Sequence, residues 1–112
     1  MKYMALIYTD PNLTPPMGEK MNDAYFALNK RMKAAGVMVG GDALQPATTA
    51  TSVRKRGEKV ETMDGPFAET REHLGGYYIL DCPDLDQALH WAAQIPGAAY
   101  GTVEVRPLVV FG

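Results

Sequence analysis

The sequence contains a single cysteine, Cys82, among 112 residues. One thiol can neither form a disulfide within the chain nor build a zinc site from cysteines. Cys82 lies at the end of an apolar run, directly before Pro83. We therefore favour a small buried side chain at this position over a nucleophile.

Long hydrophobic runs and a strong net charge are also missing. The longest apolar stretches, 4–8 and 108–111, are far too short to span a bilayer. The net charge of −2 does not favour a nucleic-acid partner. The first residues lead directly into a strand-like segment and lack the three regions of a signal peptide. We therefore expect a cytoplasmic protein with neither a membrane nor a nucleic-acid partner.

Three common site signatures are absent as well. The sequence has no glycine-rich phosphate loop, no Ser-His-Asp arrangement and no metal-ligand spacing. A hard metal held by Asp64, Glu69 and His73 is the disfavoured alternative. We expect neither a metal nor an organic cofactor.

The composition that remains is that of a globular domain. Apolar residues make up 46% of the chain and charged residues 21%. The length fits one domain, 1–112, with one hydrophobic core. Periodicity predicts an order of strand, helix, strand, hairpin, strand, helix, strand. The predicted strands are 3–9, 37–41, 50–56, 59–63, 75–82 and 101–106, and the predicted helices are 14–35 and 84–95.

Without the hairpin, this order is β-α-β-β-α-β, the ferredoxin-like α+β arrangement. That topology places both helices on one face of an antiparallel sheet. Yet the first strand carries Tyr3, Ala5 and Ile7 on one side and Met4, Leu6 and Tyr8 on the other. Soluble monomers rarely expose such an apolar patch. We therefore expect a homodimer in which two sheets pack face to face.

The segment Asp64-Gly65-Pro66-Phe67-Ala68-Glu69-Thr70 carries a resemblance to a known family. The chain resembles YCII-related proteins of the DGPF-motif type, within the dimeric α/β barrel group. Further matching segments are Lys2–Met4, Ala35–Val37, Gly40–Gly41, Leu44–Pro46, Gly75–Tyr78, Asp84–Ala88 and Val103–Pro107. The resemblance implies a ferredoxin-like homodimer with a cleft in each subunit near the dimer face.

The resemblance does not imply a known reaction. Members are often encoded near extracytoplasmic-function sigma factors, which implies a regulatory link to a sigma factor that the residues themselves do not carry. The wider group has a histidine on the first helix that is discussed as half of a His–Asp pair. Tyr25 occupies that place here. Tyrosine titrates near 10 and is a poor general base at neutral pH, so activity resting on that histidine does not carry over.

The clustered titratable groups follow the motif. Asp64 is either the first residue of a turn or an acidic group lining a cleft. His73 can act as an acid or base near neutral pH, with Asp64 or Glu69 as its partner. These residues, Asp64 and His73, are the catalytic candidates. The candidate ligand-binding residues are Tyr25, Asp42, Phe67 and Glu69.

Two functions therefore compete. One is binding of a small organic molecule or a protein partner without catalysis. The other is cofactor-independent acid–base chemistry, such as isomerisation, elimination or monooxygenation, on a small metabolite. Because Tyr25 replaces the histidine of the wider group, we favour binding.

Overall fold

The structure, a computed structural model, describes residues 1–16, 18–67 and 70–111. Its elements are β1 (Lys2–Thr9), α1 (Glu19–Ala34), β2 (Met38–Ala43), β3 (Thr51–Arg56), β4 (Lys59–Asp64), β5 (His73–Asp81), α2 (Leu85–Ala92) and β6 (Gly101–Pro107). Four strands form an antiparallel sheet in the order β2-β5-β1-β6, and β3 pairs with β4 in a separate hairpin. This is the ferredoxin-like α+β fold with an added hairpin, as the sequence predicts.

Both helices pack on one face of the four-stranded sheet. Leu28 and Met32 of α1 are fully buried there, as is Leu80 of β5. Complete burial of each such side chain contributes about 1.5–3 kcal/mol to folding. Cys82 belongs to the same cluster, with 1% of its surface exposed, and burial raises the pKa of its thiol. The interpretation of Cys82 as a buried small side chain is confirmed.

The opposite face of the sheet carries a half-exposed apolar stripe. Alternation along β1 turns Met4, Leu6 and Tyr8 away from the helices. Met4 pairs with Ile79 across the strands, and Leu6 pairs with Tyr77. We call these five residues the open face. The helices leave it uncovered within the single chain.

The first helix begins later than its sequence predicts. The predicted range begins at Thr14, whereas the helix starts at Glu19 after Gly18. The Thr14 hydroxyl instead donates to the carbonyl oxygen of Asp10, at 2.6 Å. That bond makes Thr14 part of the preceding turn, so α1 begins one turn after the two prolines. The helix ends as expected at Gly36, which has a left-handed φ of 73°.

The second strand continues past the glycines that were expected to end it. It runs to Ala43 through an irregularity in its pairing with β5 between Met38 and Gly40. Glycine is required at 41 because an added Cβ would lie 2.6 Å from the carbonyl oxygen of Tyr77. The extension brings Asp42 into the sheet, opposite Tyr77.

None of the helices in the described ranges combines the length and the apolar character that a bilayer span needs.

Candidate functional site

A cavity of about 750 Å³ lies between α1 and the sheet. This volume falls within the range of small-molecule sites, about 300–1,000 Å³. One wall comes from α1, and the floor comes from β1, β5 and the end of β2. The rim is formed by the loops 11–16 and 44–48.

Tyr25 belongs to the α1 wall of the cavity and is held there by a backbone hydrogen bond. Its hydroxyl oxygen accepts a hydrogen bond from the backbone N–H of Gly97, at 3.2 Å. Burial raises the pKa of Tyr25, although the bond from Gly97 opposes that rise. The residue therefore stays protonated at neutral pH. Its own O–H proton has no acceptor among the described residues.

Asn29 lies one helical turn after Tyr25 and shares its face of α1. The Tyr78 hydroxyl of β5 donates to Asn29 Oδ1, at 2.5 Å. Burial, together with the nearby Tyr25, raises the pKa of Tyr78 to about 12. Tyr25, Asn29 and Tyr78 thus form a cluster of neutral polar groups, which we call the polar cluster. All three line the cavity.

His73 lies on the same side of the sheet. It pairs with Thr9 across β1 and β5, and both residues line the cavity. A Cβ added to Gly97 would lie 3.0 Å from the Tyr25 hydroxyl and 3.4 Å from Thr9 Cγ2. Thr9 therefore stands with Tyr25 on the helix side of the sheet. Since cross-strand partners share a face, His73 also stands on that side.

Asp42 lies at the boundary between the cavity and the open face. Its carboxylate accepts a hydrogen bond from the Tyr77 hydroxyl, at 3.1 Å. This bond, with the negative charge of Asp42, raises the pKa of Tyr77. Both residues contribute to the cavity lining. Their cross-strand pairing places their side chains on the open face, beside Leu6.

The remaining candidates lie elsewhere or outside the described residues. Asp64 ends β4, and neither it nor Phe67 is among the residues that line the cavity. Phe67, a ligand-binding candidate, is 70% exposed, and its ring centroid lies 5.0 Å from Arg54 Cζ. Glu69 lies outside the described residues. The structure thus gathers Tyr25, Asp42 and His73 around one cavity.

The turn that contains Asp64 is tied to the hairpin by its backbone. The N–H of Gly65 donates to the carbonyl oxygen of Ala50, at 2.7 Å. The Ser52 hydroxyl donates to the carbonyl oxygen of Gly65, at 2.9 Å. These bonds continue the β3–β4 pairing beyond Asp64 and tie Gly65 to the open end of the hairpin.

The cavity lining is mostly apolar and carries few charges. Within the described ranges, its only ionisable groups besides tyrosines are Asp42 and His73, and neither Lys nor Arg is present. Nor does any group of three or more His, Cys, Asp and Glu within those ranges have the geometry to hold a metal ion. The lining therefore offers hydrogen bonds and apolar contact rather than charge pairing.

Sequence reasoning did not identify Asn29, Tyr78 or Gly97 as site residues. Asn29 is not one of the apolar positions that mark α1, and Tyr78 falls within an apolar strand, so neither carries a site signal. The spacing between Tyr25 and Asn29 is the one signal that could have found the pair. Gly97 gave no signal, because its contact with Tyr25 joins positions 72 residues apart.

Known protein sequences match nearly the whole length of this chain. The family model for the YCII-related domain matches residues 1–112. An uncharacterised protein of Rhizobium meliloti (strain 1021) is 34% identical over 117 residues. That match covers 99% of this chain and 94% of the relative.

Proposed function

Because the chain belongs to the YCII-related family, we propose that it is a homodimer that binds a small organic ligand in the cavity of each subunit. The cavity itself carries the ligand part of the proposal. It has the volume of a small-molecule site, a largely apolar lining and a few convergent polar groups.

The open face supports the homodimer. Its five residues form one apolar stripe along the two central strands. A second copy can cover that stripe by presenting the same surface, in a two-fold arrangement. The Asp42–Tyr77 pair then places the rim of the cavity beside the interface. A cleft near the dimer face follows from this arrangement.

Sedimentation equilibrium at micromolar concentration tests the dimer. The expected particle has twice the chain mass of 12.2 kDa. Leu6→Glu should shift it toward the monomer, because a charge would be buried between the two sheets. Leu89→Glu is the matched control, since Leu89 is 46% exposed on the helix side. A single 12.2 kDa species for the unmodified chain would contradict the homodimer.

Binding of N-phenyl-1-naphthylamine, an uncharged fluorophore, tests the cavity. We expect saturable binding with one site per chain. Thr9→Phe fills the floor and should weaken binding by about tenfold or more, the equivalent of 1.4 kcal/mol. Thr62→Phe makes the same change on the exposed hairpin and should leave the affinity unchanged. Equal affinities in the two variants would place the fluorophore outside the cavity.

One observation favours acid–base catalysis as a second candidate. His73, one of the proposed catalytic residues, stands on the cavity side of the sheet with Tyr25. An enzyme using it should turn over a bound metabolite at a rate that depends on the His73 side chain. His73→Gln should abolish that turnover and leave binding intact. Unchanged turnover in His73→Gln would eliminate this candidate.

A further inference from the structure

The chemistry of the polar cluster points to a ligand class, an inference that rests on the proposed function. We propose that the cavity takes an uncharged, mostly apolar molecule that carries a carbonyl-type oxygen, and that Tyr25 and Asn29 donate hydrogen bonds to that oxygen.

The free groups of the polar cluster on the α1 wall are donors. Tyr25 uses its oxygen to accept from Gly97, which leaves its O–H proton for a ligand. Asn29 uses Oδ1 to accept from Tyr78, which leaves the two Nδ2 hydrogens. The two donors come from one face of α1, a single turn apart. A carbonyl oxygen of a ketone, ester or amide has two lone pairs, so it can accept hydrogen bonds from both donors.

The charges of the lining favour a neutral molecule over an anion, because Asp42 is acidic and His73, the one basic side chain of the described lining, lies outside the polar cluster. A buried carboxylate or phosphate needs a cation or several charge-assisted hydrogen bonds. The described lining contains no Lys or Arg to supply them. Burial also keeps the hydroxyls of Tyr25 and Tyr78 neutral. A neutral acceptor therefore matches the donors without an uncompensated charge.

The cluster is held in place before a ligand arrives. Gly97 anchors Tyr25 from the short turn Pro96–Ala99, and Tyr78 anchors Asn29 from the central strand β5. A donor pair fixed on rigid elements loses little conformational entropy on binding. The pair therefore discriminates between ligands that carry an acceptor and ligands that do not.

Three probes with one aromatic skeleton test the assignment by displacement of N-phenyl-1-naphthylamine. They are 2-acetonaphthone with a neutral carbonyl, 2-ethylnaphthalene without an acceptor, and 2-naphthoate with a carboxylate. We expect the ketone to bind about tenfold more tightly than the hydrocarbon, as two net hydrogen bonds allow. The carboxylate should bind more weakly than the ketone by at least the same factor.

Tyr25→Phe and Asn29→Leu should each reduce the preference for ketone over hydrocarbon by about threefold or more. The ratio of the two dissociation constants within one variant cancels any general loss of pocket affinity. Tyr100→Phe, outside the cavity lining, is the matched control and should keep the full preference.

The outcomes separate this assignment from the proposed function. Equal binding of ketone and hydrocarbon, or an unchanged preference in both variants, would overturn the carbonyl assignment while ligand binding stands. Tightest binding of 2-naphthoate would overturn the neutral class. Failure of all three probes and of the fluorophore to bind would overturn the proposed function, and the ligand class with it.

Discussion

Replacing Gly97 with alanine should destabilise the protein, although this substitution usually has the opposite effect. Gly97 is buried and lines the cavity. An added Cβ would lie 2.8 Å from Ile7 Cγ2, 3.0 Å from the Tyr25 hydroxyl and 3.4 Å from Thr9 Cγ2. The first of these distances is shorter than real Cβ contacts. Ile7 and Tyr25, on two different elements, would have to move, whereas Thr9 Cγ2 is at ordinary contact distance.

Two opposing effects set the magnitude. At a position whose native backbone alanine can adopt, exchanging glycine for alanine stabilises the folded protein by about 0.4–1 kcal/mol, because the unfolded chain loses conformational entropy. Overpacking a filled site costs about 1–3 kcal/mol. The displaced Tyr25 hydroxyl also weakens its bond from Gly97, which contributes about 0.5–1.5 kcal/mol. Together these effects predict a loss of about 0.5–4 kcal/mol in the free energy of unfolding.

Urea denaturation followed by circular dichroism measures the loss. Gly75→Ala is the matched control, because its Cβ would meet only atoms at 3.9 Å. Tyr25→Phe should also couple to Gly97→Ala. With the hydroxyl gone, the alanine should cost about 0.5–1 kcal/mol less than it does alone. If Gly97→Ala leaves the free energy of unfolding unchanged or raises it, the close packing of Gly97 against Tyr25 is refuted.

Two further predictions concern Tyr78 and Asp84. Because burial raises the pKa of Tyr78 to about 12, its contribution to stability is complete below the ordinary tyrosine pKa of about 10 and is lost as the pH rises toward 12. An ultraviolet titration should show a late-ionising tyrosine that disappears in Tyr78→Phe and persists in Tyr100→Phe; an unchanged curve would contradict the assignment. Asp84→Ala should cost about 1 kcal/mol, because Asp84 Oδ1 accepts from the N–H of Gln87 at the start of α2, at 2.9 Å. Asp86→Ala, which lacks that bond, is the comparison, and equal losses would argue against the cap.

The fold could be predicted because its determinants are local in the sequence. Alternation marks β1, helical periodicity marks α1, and Asp84 caps α2 as its spacing with Gln87 predicts. The ion pair between Glu104 and Arg106 follows from their common strand face, at 2.6 Å. Errors arose where local signals competed: Thr14 has the chemistry of a helix cap but bonds to Asp10 instead.

The site was harder to predict because its contacts join distant segments. The sequence placed Tyr25, Asp42 and His73 among the candidates, and these three do line one cavity. It also favoured Asp64 and Phe67 because the motif is specific, but that turn bonds to the hairpin through Gly65. No periodic pattern in the sequence predicts the hydrogen bond between Gly97 and Tyr25 or the one between Tyr78 and Asn29. Cytoplasmic location and the link to a sigma factor stay predictions.

Tyr25 is suited to recognising a ligand rather than to transferring a proton. Burial raises the pKa of Tyr25 above its ordinary value of about 10, so the hydroxyl donates without ionising throughout the neutral range. If Tyr25 and Asn29 recognise a neutral oxygen, the affinity for 2-acetonaphthone should stay constant from about pH 7 to pH 9. Isothermal titration calorimetry across that range provides the measurement. A steady loss of affinity within it would mean that an ionising group, rather than the polar cluster, governs binding.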